Sequence, residues 1–365
     1  MKYLPDTIKR YDWVMLLAVF FIVVFSLLTL YSAGMHGDSS SFIKQLVFVS
    51  IGISVMFLMS LIDYRIFRNY TLVSIVIFLL AAVLLVAVLF LGKHTRGSVS
   101  WFNIGSLKFE PVEVVKLALI IILAKYFSRK HVHIFEMRQL VASAVYFLIL
   151  AGLVLMQPDL GSAIILGCIW LGAVLVSGMR IKHLAIVLGI GVLLFGMSWA
   201  LILKPYQKNR IISFISPASD PLGAGYNQRQ SVIAIGSSGF FGKGLGRGSQ
   251  VQLNFLPEKE TDFIFAALSE EWGWLGGTLL LSMYGLLAWR IYLLAVNAET
   301  NFAKLFSAGY LIMVISSVFI NVGMNIGILP ITGIGLPFLS YGGSNLLANF
   351  VGLGVMQSIK LRTVA

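Results

Sequence analysis

A chain of 365 residues that is 58% hydrophobic and only 12% charged stands far from soluble domains, which sit near ~45–50% apolar and ~25% charged. With a mean hydropathy of +0.92, most of it must face lipid, which excludes intrinsic disorder and a soluble nucleic-acid module. The net charge of +12 does not restore a nucleic-acid partner, because Lys and Arg cluster between apolar runs, as the positive-inside bias predicts.

A membrane helix needs about 20 apolar residues to cross ~30 Å of hydrocarbon. Runs of that kind begin near Trp13, Phe42 and Thr71. The first, after Lys9 and Arg10, is too long for a signal-peptide core, so no cleavable signal is expected. A less uniform run over 111–127 carries Glu113 and Lys116. It reads as a span facing protein or a polar cavity, since charges in lipid are too costly. Further runs begin near Gln139, Leu160, His183, Trp272, Ala303 and Leu339. The expectation is an all-α polytopic membrane protein of about ten transmembrane helices, organised as one domain over residues 1–365.

An even count puts both termini on one side. Lys9, Arg10, Arg65, Arg68, Lys125, Arg129, Arg180, Lys182, Arg290, Lys304, Lys360 and Arg362 all fall there, marking it as the cytoplasmic face. The opposite face receives one long extracytoplasmic loop, 204–262. Loops of that length are functional or carry their own structure, and short or re-entrant helices are expected in it.

Chemistry-bearing residues occur in five places along the chain. Glu113 and Lys116 are three apart on a helix and share a face, either as a structural ion pair or as cavity lining. Asp159, in Gln157-Pro-Asp159-Leu-Gly161, fits a helix N-cap at an outward turn. The stretch from Gly236 to Gly248 is glycine-rich but lacks the spacing of a phosphate loop. It reads either as a tightly turning re-entrant segment or as amides presented with Lys243 and Arg247 to an anionic headgroup. Asp262 stands where a polar loop meets an abruptly aromatic, apolar sequence. It is either an N-cap or a carboxylate whose pKa desolvation raises into the range of a proton acceptor. Glu270 follows at helical spacing, where it could share that face or solvate the start of the Trp272 span. Two prolines and several glycines in 327–344 indicate broken backbone lying against protein or water. The lone cysteine, Cys168, and the histidines His131 and His133 show no metal-ligand spacing.

Together, Phe109-Glu-Pro-Val-Glu-Val-Val-Lys116, Gln157 to Gly161, Gly236 to Gly248, Leu256 to Ala266 and Leu336 to Ser344 resemble the SEDS family, the polytopic proteins of shape, elongation, division and sporulation. The likeness covers nearly the whole chain. Asp220 to Gly225, Gln252 to Pro257 and Glu270 to Gly273 look most like its rod-shape branch.

The resemblance implies a peptidoglycan glycosyltransferase that polymerises lipid II outside the plasma membrane. The implied partners are a class B penicillin-binding transpeptidase and other elongation-complex membrane proteins. It implies that Asp262 is the essential carboxylate and that Glu113 and Lys116 line the central cavity, with Asp159 and Glu270 as supporting residues. Two departures stand out: Glu260 where the family often has His, and Ser100 before Trp101 where many members have Arg. An α-linked donor and a β-linked product require inversion, so one base and a stabilised leaving group are expected. Lys116, Lys243, Arg247 and Arg210 are the candidate cations for the pyrophosphate. A divalent cation, Mg or Mn, is a candidate cofactor, and a nucleotide is not expected. A lipid II carrier and a non-catalytic scaffold for the transpeptidase remain the alternative classes.

Overall fold

A computed structural model describes residues 9–35, 39–95, 98–104, 107–129, 137–178 and 223–363, with isolated positions between 182 and 214. The helices are α1 (Trp13–Gly34), α2 (Ser40–Leu61), the short α3 (Arg65–Asn69), α4 (Thr71–Leu91), α5 (Pro111–Arg129), α6 (Met137–Met156) and α7 (Leu160–Val176). After the long loop come α8 (Ala224–Gly236), α9 (Ser249–Gln252), α10 (Ile264–Val296), α11 (Asn301–Asn325) and α12 (Gly343–Arg362). Six of them, α1, α2, α4, α6, α10 and α11, are long and apolar enough to cross a membrane. The chain is a multi-pass membrane protein built almost wholly of helices. The run expected to start near His183 lies outside the described residues, and so does most of 204–222.

Helix α5 forms the axis of the bundle. It packs against α4, α6, α7, α11 and α12, and is buried from Pro111 through Lys125 with the single exception of Val114. A helix enclosed on every side has no lipid-facing stripe to advertise in its sequence. That is why its charges are tolerated: protein, not hydrocarbon, surrounds them. By contrast, α4 turns Leu79, Leu80, Val83 and Phe90 outward.

The two ends of the bundle differ in character. At one end Asp12 caps α1 by accepting from the Met15 amide at 3.0 Å. It also receives Arg290 from the end of α10, with Nη2 at 2.7 Å. The Asp12 backbone N–H donates to Gln357 of α12 at 2.9 Å. The start of the first described membrane helix and the finish of the last are thus tied together at the end rich in Lys and Arg.

Two features depart from the expected helix-only pattern. Between α4 and α5 runs an antiparallel meander of β1 (Lys93–Thr95), β2 (Ser98–Ile104) and β3 (Leu107–Phe109). In it Phe102 faces Phe109 across one pair of strands. Second, the span expected from Trp272 is the continuation of a longer helix. α10 starts at Ile264 and breaks at Gly273, whose backbone has φ 69° and ψ −165°. The final span likewise starts at Gly343, because 336–342 is consumed by turns.

Candidate active site

The end opposite the Asp12 knot gathers Glu110, Glu113, Asp159 and Asp262. On α5 the Lys116 ammonium donates to Glu113 Oε1 at 2.7 Å, and both side chains are buried. The i,i+3 spacing produces the pair that the sequence predicts. One residue before α5 stands Glu110, half-buried, its backbone N–H donating to Ser344 Oγ at 2.8 Å. Burial holds the Glu110 carboxyl well above the usual carboxylate range, reinforced by the negative charges of Glu113, Asp159 and Asp262 and opposed by Lys116. Those five residues therefore share one electrostatic neighbourhood. Glu110 is the site member that sequence reasoning passed over. Its position in the same short motif as Glu113 was the available signal.

Asp159 caps α7, accepting from the Ser162 amide at 3.0 Å. Beside it Gly161 allows close approach: a Cβ there would stand 2.7 Å from the Thr332 carbonyl oxygen. The next residue of that segment, Gly333, faces Asp262, with Oδ2 3.8 Å from where its Cβ would stand. The broken backbone of 331–344 is thus the wall that α5, α7 and Asp262 have in common.

Asp262 is half-buried in the turn that leads into α10. The N-cap position belongs to Phe263, which makes no side-chain capping bond. Capping is done from another helix: the Ala266 N–H donates to Asn325 Oδ1 at 3.1 Å. The Asp262 carbonyl accepts from both Asn321 Nδ2 and Asn325 Nδ2, each at 3.0 Å. The preceding carbonyl, of Thr261, accepts from Ser340 Oγ at 2.7 Å. Ser340 also receives the Leu336 N–H at 2.8 Å. These asparagines read in sequence as incidental members of an apolar span. Two amides at i,i+4 inside a membrane helix were the signal that could have found them.

The glycine-rich segment plugs the break in α10. At Gly273 the helix frees the carbonyls of Glu270 and Glu271, which accept from the Lys243 and Gly244 amides, each at 3.0 Å. Beyond the break the Trp274 and Leu275 amides donate to the carbonyls of Gly239 and Phe240, each at 3.1 Å. Gly242 and Gly273 touch backbone to backbone, leaving no room for a side chain on either. The loop turns tightly and packs closely, as one of the two readings of its glycines has it, and several of its amides are spent on α10.

Glu270 is fully buried and points into this loop. Its Oε1 accepts from Lys243 Nζ at 2.7 Å and the Gln250 amide at 2.9 Å, and its Oε2 accepts from the Val251 amide at 3.1 Å. The structure thus pairs Lys243 with Glu270 rather than assembling either around Asp262. Glu271 accepts from the Ser32 hydroxyl and, at 3.2 Å, from the Gly246 amide. Arg247 is exposed on the loop surface, and Arg210 lies outside the described residues. Among the described residues no three His, Cys, Asp or Glu side chains converge closely enough to hold a metal ion.

Residues 9–364 match the family model for the cell cycle proteins FtsW, RodA and SpoVE. The stage V sporulation protein E of Bacillus subtilis is 38% identical over 359 residues, covering 97% of this chain and 96% of that one. The peptidoglycan glycosyltransferase MrdB of Escherichia coli K12 is 34% identical over 348 residues, covering 95% and 93%. A solved chain from a peptidoglycan synthase complex that coordinates polymerization and crosslinking superposes with a TM-score of 0.83 at 31% identity. The match covers 96% of this chain and 97% of that one.

Proposed function

The chain belongs to the FtsW, RodA and SpoVE family of cell cycle proteins, and we propose that as a peptidoglycan glycosyltransferase it polymerises lipid II with Asp262 as the general base. The observation that carries this reading is the placement of a half-buried carboxylate, on a tightly held backbone, at the end of the bundle where Glu110, Glu113, Lys116 and Asp159 gather. The Lys/Arg-rich end that holds both chain ends is cytoplasmic on this reading, so the Asp262 end meets the wall compartment.

The step is a single inverting displacement. The acceptor sugar hydroxyl attacks the anomeric carbon of the donor and passes its proton to the Asp262 carboxylate. The bond to the polyprenyl pyrophosphate breaks, and the leaving group departs with the electron pair. Charge gathers on that pyrophosphate, so cations fixed nearby lower the barrier. Lys116 is the best placed, because its three-proton ammonium donates to Glu113 Oε1 and keeps protons to spare among the described residues. Arg247 is the exposed alternative, while Lys243 is committed to Glu270. A Mg or Mn ion, if used, fits as a guest of the pyrophosphate with one or two protein carboxylates, the usual manner of Mg with phosphates, rather than in an all-protein cage. The partner assigned on this reading is a class B penicillin-binding transpeptidase, which crosslinks the strand as it emerges.

Purified chain, with and without the transpeptidase, is incubated with labelled lipid II in detergent and the glycan ladder is resolved. Asp262→Asn is expected to bind lipid II and lose at least ~10²-fold in polymer, the typical contribution of one general base. Polymer at the normal yield from that variant removes Asp262 from the mechanism. A pure carrier makes no ladder at all, because detergent abolishes sidedness.

A further inference from the structure

We propose that Asn321 and Asn325 are the positioning residues of the Asp262 carboxylate, acting through its backbone. This rests on Asp262 being the base. Both asparagines are fully buried on one face of α11, four residues apart. Buried amides in an apolar helix are costly unless every polar atom is used, and here the bonds converge on one short segment. Two Nδ2 groups donate to the Asp262 carbonyl. The other N–H of Asn321 reaches the Ile334 carbonyl at 2.7 Å, tying the same carbonyl cluster to the 331–344 wall. Asn325 Oδ1 takes the Ala266 amide, so one side chain holds the turn on both sides of Phe263. Asn325 is itself oriented by Ser231, whose hydroxyl donates to its carbonyl at 2.8 Å and to Oδ1 at 3.3 Å.

With the peptide planes on either side of Asp262 pinned, by Ser340 on the Thr261 carbonyl and by the asparagines on its own, the Cα–Cβ direction is set before substrate arrives. A general base works only within about 2.6–3.2 Å of the proton it takes, and an error of 1 Å costs on the order of 10²-fold in rate. A leucine at either position would pack as well and hold nothing.

The test uses the full chain with its transpeptidase and labelled lipid II. Turnover is expressed per lipid II-binding-competent molecule, so unfolded protein does not count. Asn321→Ser and Asn325→Ser are expected to lower kcat on the order of 10²-fold with KM held within about twofold, the signature of an interaction made only in the transition state. Placed in an Asp262→Asn background, neither substitution is expected to lower the residual rate further. Normal kcat per competent molecule, a loss expressed in KM, or an additive loss in the Asp262→Asn background overturns the proposal. Should neither serine variant yield binding-competent protein, Ser231→Ala decides, because it loosens Asn325 without touching Asp262. A fall in its kcat at constant KM supports positioning, and unchanged kcat overturns it. Full activity in Asp262→Asn alone is a separate result, which removes the base assignment itself.

Discussion

Two Glu–Lys pairs with the same 2.7 Å contact, one buried and one half-buried, occupy the end of the bundle away from Asp12, and they are built for different ends. Glu113 and Lys116 are neighbours on one helix and, among the described residues, their side chains bond to each other. Glu270 and Lys243 are 27 residues apart, and Glu270 additionally accepts two backbone amides and the Ser249 hydroxyl. A carboxylate with both oxygens occupied is an anchor. On the proposed reading, an ion pair with protons left over, in the field of Glu110 and Asp159, can exchange partners with an anionic ligand. On the proposed reading the same residue types give a rivet in one place and a ligand-facing pair in the other.

That contrast is broken on one side by Glu270→Ala. It orphans the Gln250 and Val251 amides, at about 1–3 kcal/mol each, while Lys243, with 28% of its side chain exposed, can turn to water. The expected loss is roughly 3 kcal/mol, read as a lower melting temperature and as new protease cleavage within 237–252. An unchanged melt would show that the loop does not depend on the anchor. At the other pair, Lys116→Met alone strands a buried charge, which typically costs about 3–5 kcal/mol. The double change Glu113→Gln with Lys116→Met should recover most of that stability and none of the lipid II polymerisation. Recovery of both would reduce the pair to a structural one.

A smaller effect is expected from Asp159→Ala, since removing an N-cap typically costs ~1 kcal/mol. A drop of a few degrees in melting temperature, with polymerisation largely kept, would place Asp159 with the anchors. Loss of polymer at normal stability would move it to the reactive group. The mildest test is Glu110→Gln. Because burial raises this carboxyl's pKa in the folded chain, its contribution is fully present below the unfolded pKa and is lost as pH rises through the folded one. The variant should therefore melt with wild type in acid and above it at alkaline pH. Parallel melting curves across that range would mean that Glu110 is not raised.

Much of this was legible in the sequence, for identifiable reasons. Trp13, Thr71 and Leu160 begin helices where an apolar run follows a polar turn. The Glu113–Lys116 pair and the Asp159 cap depend on residues three apart, which a local pattern captures. What escaped was non-local or unpunctuated. Strand β2 is a seven-residue piece with no helix-length signal. The break at Gly273 has no proline to announce it and is maintained by a loop some thirty residues upstream. Glu270 turned toward that loop rather than toward Asp262, because its partner Lys243 cannot be inferred from helical spacing. Asn321 and Asn325 were hidden by the apolar company they keep.

The knot at the basic end has a consequence for how the protein is made. Asp12 and Gln357 are 345 residues apart in the chain, so at ~5–20 residues per second of synthesis the leading helix waits roughly 20–70 s for its mate. Through that interval Asp12 lacks its contact with α12. Clipping the last described helix during biogenesis would therefore undo the first described one too.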